Sequence, residues 1–182
     1  MIGQAAHEFL VEPLGKQYDR TAFSCGVESL DHYLKAQASQ DMRRKANAVF
    51  VIVKPGTPTK IVGYFTLCAY ALTQGEVPEA ARKHIPRYPL ISATLIGRLA
   101  VRAEYQGHGI GAQLLARALR MAYESASRVG SSIVVVDAID ERAARFYEAF
   151  GFIRLIDSMR LILPTQTIAG LVAVGQGQPA TS

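Results

Sequence analysis

The sequence predicts an α/β (α+β) fold, a mixed central sheet of about six to seven strands flanked by helices. Three observations predict it. Apolar residues recur with strand period and helix period in the order strand, helix, two strands, strand, helix, strand, helix, two strands. Helices and strands therefore alternate only in part, the mark of a mixed sheet with covering helices. The chain has 182 residues, 49% of them hydrophobic and 19% charged, enough to close one packed core and too apolar for global disorder. A glycine-rich loop past mid-chain joins an extended stretch to an amphipathic helix.

The elements follow in order. Glu8-Phe9-Leu10-Val11 reads as a short first strand, stopped by Pro13. After Phe23-Ser24-Cys25-Gly26, the residues Leu30, Tyr33, Leu34, Gln37 and Ala38 lie at helical spacing. That helix should run to about Arg44 or Lys45, with Arg43, Arg44 and Lys45 suited to the negative end of its dipole. Ala48 to Val53 and Ile61 to Tyr70 read as a hairpin around the turn cluster Pro55-Gly56-Thr57-Pro58. Thr73 to Pro89 is polar and basic, with a short helix expected near Pro78 to Lys83. Leu90 to Val101 is extended, with Gly97 a candidate bulge or bend. Ile110, Leu114, Leu115, Ala118, Leu119 and Ala122 mark the buried face of a long helix closed by Gly130. Ile133 to Val136 is a buried strand and Glu141 to Phe150 a helix stopped by Gly151. Phe152 to Ile156 and Met159 to Leu163 are the closing strands. Residues 1–164 form one expected domain. The tail 165–182 has no charged residue and is expected to be poorly ordered from about Gly170 onward.

Composition excludes several classes. No apolar run reaches the roughly 18 residues of a membrane span, and Met1 to Glu8 lacks the pattern of a secretory leader. The expectation is a cytoplasmic protein without membrane contact. Cys25 and Cys68 form no CxxC and no metal-ligand spacing, so neither a metal nor a disulfide framework is expected. The formal charge of +5 is unevenly spread: residues 35–102 hold eleven Lys or Arg against three Asp or Glu. Such a bias points to a polyanionic partner.

Gln106-Gly107-His108-Gly109-Ile110-Gly111 is the candidate binding loop. Glycines admit positive φ and a close backbone approach. The free N–H groups of the following helix start, with their partial positive charge, suit a phosphate or pyrophosphate. The dinucleotide fingerprint needs an early βαβ unit and an acidic residue about 20 positions on, where this chain has Ser131-Ser132. No GxxxxGK[ST] is present either.

The surroundings are more specific. Leu99-Ala100-Val101, the loop from Tyr105 to Gly111 and Leu114-Leu115 resemble the acetyl-CoA motif of the GNAT acetyltransferases, Q/R-x-x-G-x-G/A. Ala143 to Phe152 resembles their second motif, A-x-x-F-Y-x-x-x-G-F. The two occur in the family's order and separation, and the likeness covers roughly residues 45–163. It implies that the backbone of Leu99, Ala100 and Val101 pairs with the pantetheine arm. It implies that N–H groups from Gln106 through Gly107, His108, Gly109, Ile110 and Gly111 hold the pyrophosphate. It makes Tyr147 the general acid to the departing thiolate. Many members start the last helix with Asn, where this chain has Asp140, a residue suited to an N-cap.

Phe23 to Leu34, Ala38-Ser39-Gln40-Asp41, Gly63 to Leu67, Ile96 to Val101 and Val136-Asp137-Ala138 resemble the GNAT toxins of bacterial type II toxin–antitoxin pairs. That resemblance implies acetylation of the α-amino group of aminoacyl-tRNA and a small ribbon-helix-helix antitoxin. Proteins of this kind often pair as homodimers. An α-amine suits the residues present. It titrates near 7.7–8.0 and is partly neutral at pH 7, whereas a lysine near 10.4 needs a placed base. The stretch Leu90 to Val101 contains no Asp, Glu or His. Candidate tRNA contacts are Arg43, Arg44, Lys45, Arg82, Lys83 and Arg98. The competing readings are a housekeeping acetyltransferase for a small-molecule or protein amine, and a binding module without chemistry.

Overall fold

The computed structural model describes residues 9–175, with side chains described as far as Leu171. Seven strands form one mixed sheet in the order β1-β2-β3-β4-β5-β7-β6. Contacts divide the chain into two compact units. One comprises the residues up to Cys68 together with Ile96–Ala118, the other Ala69–Leu95 together with the residues from Leu119 onward. Strands β3 (Gly63–Thr73) and β4 (Leu90–Val101) contribute to both.

In the first unit, β1 (Leu10–Pro13) lies antiparallel to β2 (Ala48–Val53), with Leu10 opposite Val53 and Pro13 opposite Phe50. The expected stop at Pro13 is instead the last strand residue. A proline is tolerated there because β1 is an edge strand and one of its sides needs no donor. Glu8, assigned from sequence to the same strand, lies outside the described residues. β2 and β3 form the expected hairpin, with Ala48 opposite Leu67 and Ile52 opposite Gly63. The first helical region departs from a single regular helix. α1 (Glu28–His32) opens into a π turn over Tyr33–Gln37 and resumes as α2 (Ala38–Arg43). Lys45 then adopts a left-handed φ of 59°, which ends the helix. The core of this unit joins Phe23, Tyr33, Leu34, Val51 and Tyr64, all essentially inaccessible. Gly63 is required by close approach. A Cβ there would lie 2.8 Å from the Ala100 carbonyl and 3.3 Å from a Leu114 methyl.

In the second unit, a capping box between Thr73 and Glu76 opens a 3₁₀ turn, and α3 (Glu79–Arg82) follows Pro78. β5 (Ile133–Asp137) pairs antiparallel with β7 (Arg160–Pro164), and β7 with the two-residue β6 (Ile153–Arg154). The expected five-residue strand from Phe152 is thus shorter, because a turn at 156–159 follows at once. Helix α4 (Ile110–Ala126) runs from the glycine loop of the first unit into the second. α5 (Glu141–Ala149) precedes β6. Leu72, Ile91, Ile133, Val135 and Ile162 fill this core. Thr165–Gly175, the first part of the tail, forms helix α6, which runs past the Gly170 from which poor order was expected. The Thr165 N–H donates to the Ser132 carbonyl and Ile168 is fully buried, so packing supplies what the uncharged composition did not signal. Residues 176–182 lie outside the described residues.

Candidate active site

The glycine loop is built from its flanks inward. β4 ends at Val101, and the next residue, Arg102, is buried although charged. Its Nε donates to the Ile61 carbonyl at 2.7 Å and its Nη1 to the Ala22 carbonyl at 3.0 Å. Gln106 completes the brace: its Nε2 donates to the Cys25 carbonyl at 2.7 Å and to the Val101 carbonyl at 2.8 Å. Three strands of chain are tied together just before the loop, so its geometry is set before any ligand arrives. The Gln106 backbone N–H donates to the Ala103 carbonyl at 3.2 Å, and its side-chain amide is equally occupied. Gln106 therefore anchors the loop through both its backbone and its side chain.

Gly107 and Gly109 have φ of 79° and 76°, in the left-handed region that favours glycine. A Cβ at either position would meet nothing within 4 Å. The loop surface is therefore open at its two glycines, and the first-turn N–H groups of α4 follow directly. Those donors have no intrahelical partner. An open, glycine-lined turn before a helix start fits a pyrophosphate. His108 is exposed, its Nδ1 3.4 Å from the Tyr105 carbonyl, a loop decoration as its sequence context indicates. Glu104 faces solvent and pairs with Lys60 at 2.9 Å, which holds its carboxyl below the usual range. On β4, Ala100 is buried and Leu99 and Val101 half-buried. Gly97, expected as a bulge, lies within the continuous strand without positive φ; a Cβ there would sit 3.1 Å from the Thr66 hydroxyl.

Tyr147 sits on α5 in the second unit, 8% exposed. Its ring meets Phe146 and Phe152 edge-on at centroid distances of 5.3 and 5.6 Å. Burial, and secondarily the negative charge of Asp137, push its phenol up to about 12. Among the described residues its hydroxyl makes no hydrogen bond, and it is not a fully enclosed orphan. It is a protonated donor without a partner. Asp137 is not free to act as a base: Arg160 binds it through two nitrogens at 2.7 and 3.0 Å. Arg160 also donates to the Tyr70 hydroxyl at 2.6 Å. Asp140 is the N-cap of α5, its carboxylate accepting from the Ala143 N–H at 2.8 Å. The departure from the family's Asn thus preserves the cap.

The six cations singled out from sequence occupy three settings. Arg43, Arg44 and Lys45 are exposed at the end of α2. Arg82 and Lys83 are exposed at the end of α3. Arg98 is half-buried, its guanidinium carbon 3.5 Å from the centroid of the Tyr33 ring. Tyr33 is locked from below. Its hydroxyl donates to Asp41 at 2.9 Å, and its ring stacks on Tyr64 at 6.4 Å. Sequence reasoning missed Arg102 and Tyr33. Tyr33 lies in the Phe23–Leu34 stretch, but what neither residue's surroundings in sequence show is the distant partner: Arg98 and Tyr64 for Tyr33, Ile61 and Ala22 for Arg102.

Comparison with known proteins defines the class. The family model for the acetyltransferase (GNAT) domain matches residues 45–154. A tRNA-acetylating toxin of Mycobacterium tuberculosis is 30% identical over 155 residues, 85% of this chain and 90% of that protein. The toxin AtaT, solved in complex with acetyl-methionyl-tRNAfMet, aligns with a TM-score of 0.82 at 30% identity, covering 91% of this chain and 99% of its own. A tyrosine-to-phenylalanine mutant of AtaT, solved with the C-terminus of the antitoxin AtaR and acetyl-CoA, aligns with a TM-score of 0.77 at 28% identity, over 91% of this chain and 98% of that one. The chain belongs to the GNAT acetyltransferases and, within them, to the toxins of bacterial toxin–antitoxin systems. It is an acetyl-CoA-dependent acetyltransferase. No helix among the described residues is long and apolar enough to cross a membrane.

Proposed function

We propose that this enzyme transfers the acetyl group of acetyl-CoA to the α-amino group of aminoacyl-tRNA, which blocks that tRNA in translation. The observation that carries the reading is the likeness, over 91% of the chain, to an acetyltransferase solved with acetyl-methionyl-tRNA. The chemistry of the site supports the same acceptor. Thioester attack needs a neutral amine, and β4 supplies no Asp, Glu or His to deprotonate a lysine. Glu104 is paired with Lys60 and Asp137 with Arg160. An α-amine near pKa 7.7–8.0 needs no such base, and holding it beside the thioester supplies much of the remaining rate.

In this mechanism, acetyl-CoA supplies an activated acyl group as a thioester. The backbone of Leu99, Ala100 and Val101 aligns the pantetheine arm, and N–H groups of Gly107, His108, Gly109, Ile110 and Gly111 hold the pyrophosphate. The amine nitrogen bonds to the acetyl carbon as the carbon–sulfur bond breaks. Tyr147 donates its phenolic proton to the leaving sulfur, and the proton that the amine sheds returns through water to the Tyr147 phenolate, restoring the acid. The burial of Tyr147 supports this role, because it keeps the phenol protonated throughout the working pH range. Arg43, Arg44, Lys45, Arg82, Lys83 and Arg98 contact tRNA phosphates. The partner that silences the enzyme is a ribbon-helix-helix antitoxin, and two copies of the chain act as a homodimer in the cytoplasm. The test is transfer of labelled acetyl from acetyl-CoA to purified charged tRNAs, with a lysine-rich protein as control. Label on charged tRNA that is lost with the aminoacyl ester is the expected result. Label on the protein alone would make this a lysine acetyltransferase.

A further inference from the structure

A concave surface lies in the Ala69–Leu95 segment, and none of its lining residues has been given a catalytic role above. It is a cavity of about 610 Å³ lined by Gln74, Arg82, Lys83, Arg87, Tyr88 and Pro89. Three of its six lining residues are cations, and none is a carboxylate. Among the described residues Lys83 and Arg87 make no salt bridge or hydrogen bond, and Arg82 only donates its Nε to the Val77 carbonyl at 3.2 Å. Tyr88 is 66% exposed, although a tyrosine of this size commonly covers apolar surface. Its backbone is nevertheless restrained. Pro86 and Pro89 fix φ on either side and bias the preceding residues to extended conformations. The Gln74 N–H donates to the Pro89 carbonyl at 3.1 Å, and Ile85 and Ile91 are buried on the two sides of the exposed stretch. An aromatic ring is thus presented to solvent on a stiffened loop, among three cations without counter-charges.

We infer that this cavity seats one unpaired nucleotide of the tRNA, its base stacked on Tyr88 and its flanking phosphates held by Arg82, Lys83 and Arg87. The inference rests on the aminoacyl-tRNA reading and adds a contact that charge alone does not provide. Proteins recognise single-stranded RNA by stacking splayed bases on aromatic rings beside a cationic track for the backbone. Stacking and charge differ in one measurable respect. Phosphate neutralisation releases counterions and makes affinity fall with salt, whereas stacking leaves that slope alone.

The experiment uses the full chain without acetyl-CoA and measures binding of one uncharged tRNA across a salt series, beside a blunt-ended RNA duplex. Tyr88→Ala should weaken tRNA binding roughly tenfold at every salt concentration, with the wild-type slope kept and duplex binding unchanged. Tyr88→Phe keeps the ring and should bind as wild type does. Arg87→Glu should instead flatten the salt slope for both RNAs. Wild-type affinity in Tyr88→Ala would overturn the proposal, as would an equal loss for the blunt duplex. Acetyl transfer to the same tRNA, charged, is measured on the same wild-type preparation. If transfer occurs but Tyr88→Ala is indifferent, only the nucleotide seat fails. If no transfer occurs, the aminoacyl-tRNA reading fails and takes the seat with it.

Discussion

At the scale of single residues, the proposed chemistry rests on Tyr147. Its burial raises the phenol pKa to about 12, so the proton it must donate is present at any pH where the fold is used. Tyr147→Phe removes one hydroxyl and leaves the ring contacts with Phe146 and Phe152 in place. Turnover should fall by roughly 10²–10⁴-fold while acetyl-CoA affinity, read by calorimetry, stays near wild type. The pH profile is a second check. The acceptor amine must be neutral, so single-turnover rates should rise through about pH 7.7–8.0. Tyr147 is needed protonated and loses its proton only near 12, so no falling limb should follow below pH 10. A decline centred at pH 9–10 would mean that the acid is a group with an ordinary pKa. The motif A-x-x-F-Y made Tyr147 legible in sequence. Burial by distant aromatics, which sets its pKa, was not.

At the scale of elements, the glycine loop shows how much a local pattern can say. Its glycine spacing announced positive φ, and Gly107 and Gly109 adopt it. What the pattern could not announce is the brace beneath, where Gln106 and Arg102 bind carbonyls of Cys25, Ala22 and Ile61 from far along the chain. Gly109→Asp separates ligand binding from folding. Aspartate tolerates the left-handed region better than most residues, and open space surrounds the new Cβ. A carboxylate near a pyrophosphate is repelled by about 1–4 kcal/mol at 4 Å, depending on how much water intervenes. Acetyl-CoA affinity should therefore drop at least about fivefold, beyond the modest loss of thermal stability that a side chain in the left-handed region brings. Undiminished affinity in a folded variant would move the pyrophosphate elsewhere. The π turn in the first helix teaches the converse. Periodicity around Leu30, Tyr33 and Leu34 marks a helix, but the widened turn accompanies the packing of Tyr33 against Tyr64 and Arg98, which no local periodicity encodes.

At the scale of the whole molecule, the cations between residues 35 and 102 differ in their local settings. Arg43 and Arg44 are exposed and Arg98 is stacked, so their contributions to RNA binding should differ in kind. Reversing the charge of Arg43 and Arg44 should weaken tRNA binding and reduce the slope of log affinity against log salt by about 1–2, since each phosphate contact contributes roughly 0.7–0.9. Acetyl-CoA binding should not change, and stability should shift by no more than about 1 kcal/mol per exposed charge. Identical slopes for the two proteins would leave these arginines as a solvated helix end. By itself the sequence determined the strand and helix order, the glycine loop and the family, because each is written in residues close together or at a fixed period. The tertiary structure alone decided that Gln106 braces the loop, that Arg160 holds Asp137, that Arg98 lies on Tyr33, and that the apolar start of the tail packs as a helix. Those outcomes depend on which distant groups meet, and burial and hydrogen-bond partners follow from that meeting rather than from neighbours in the chain.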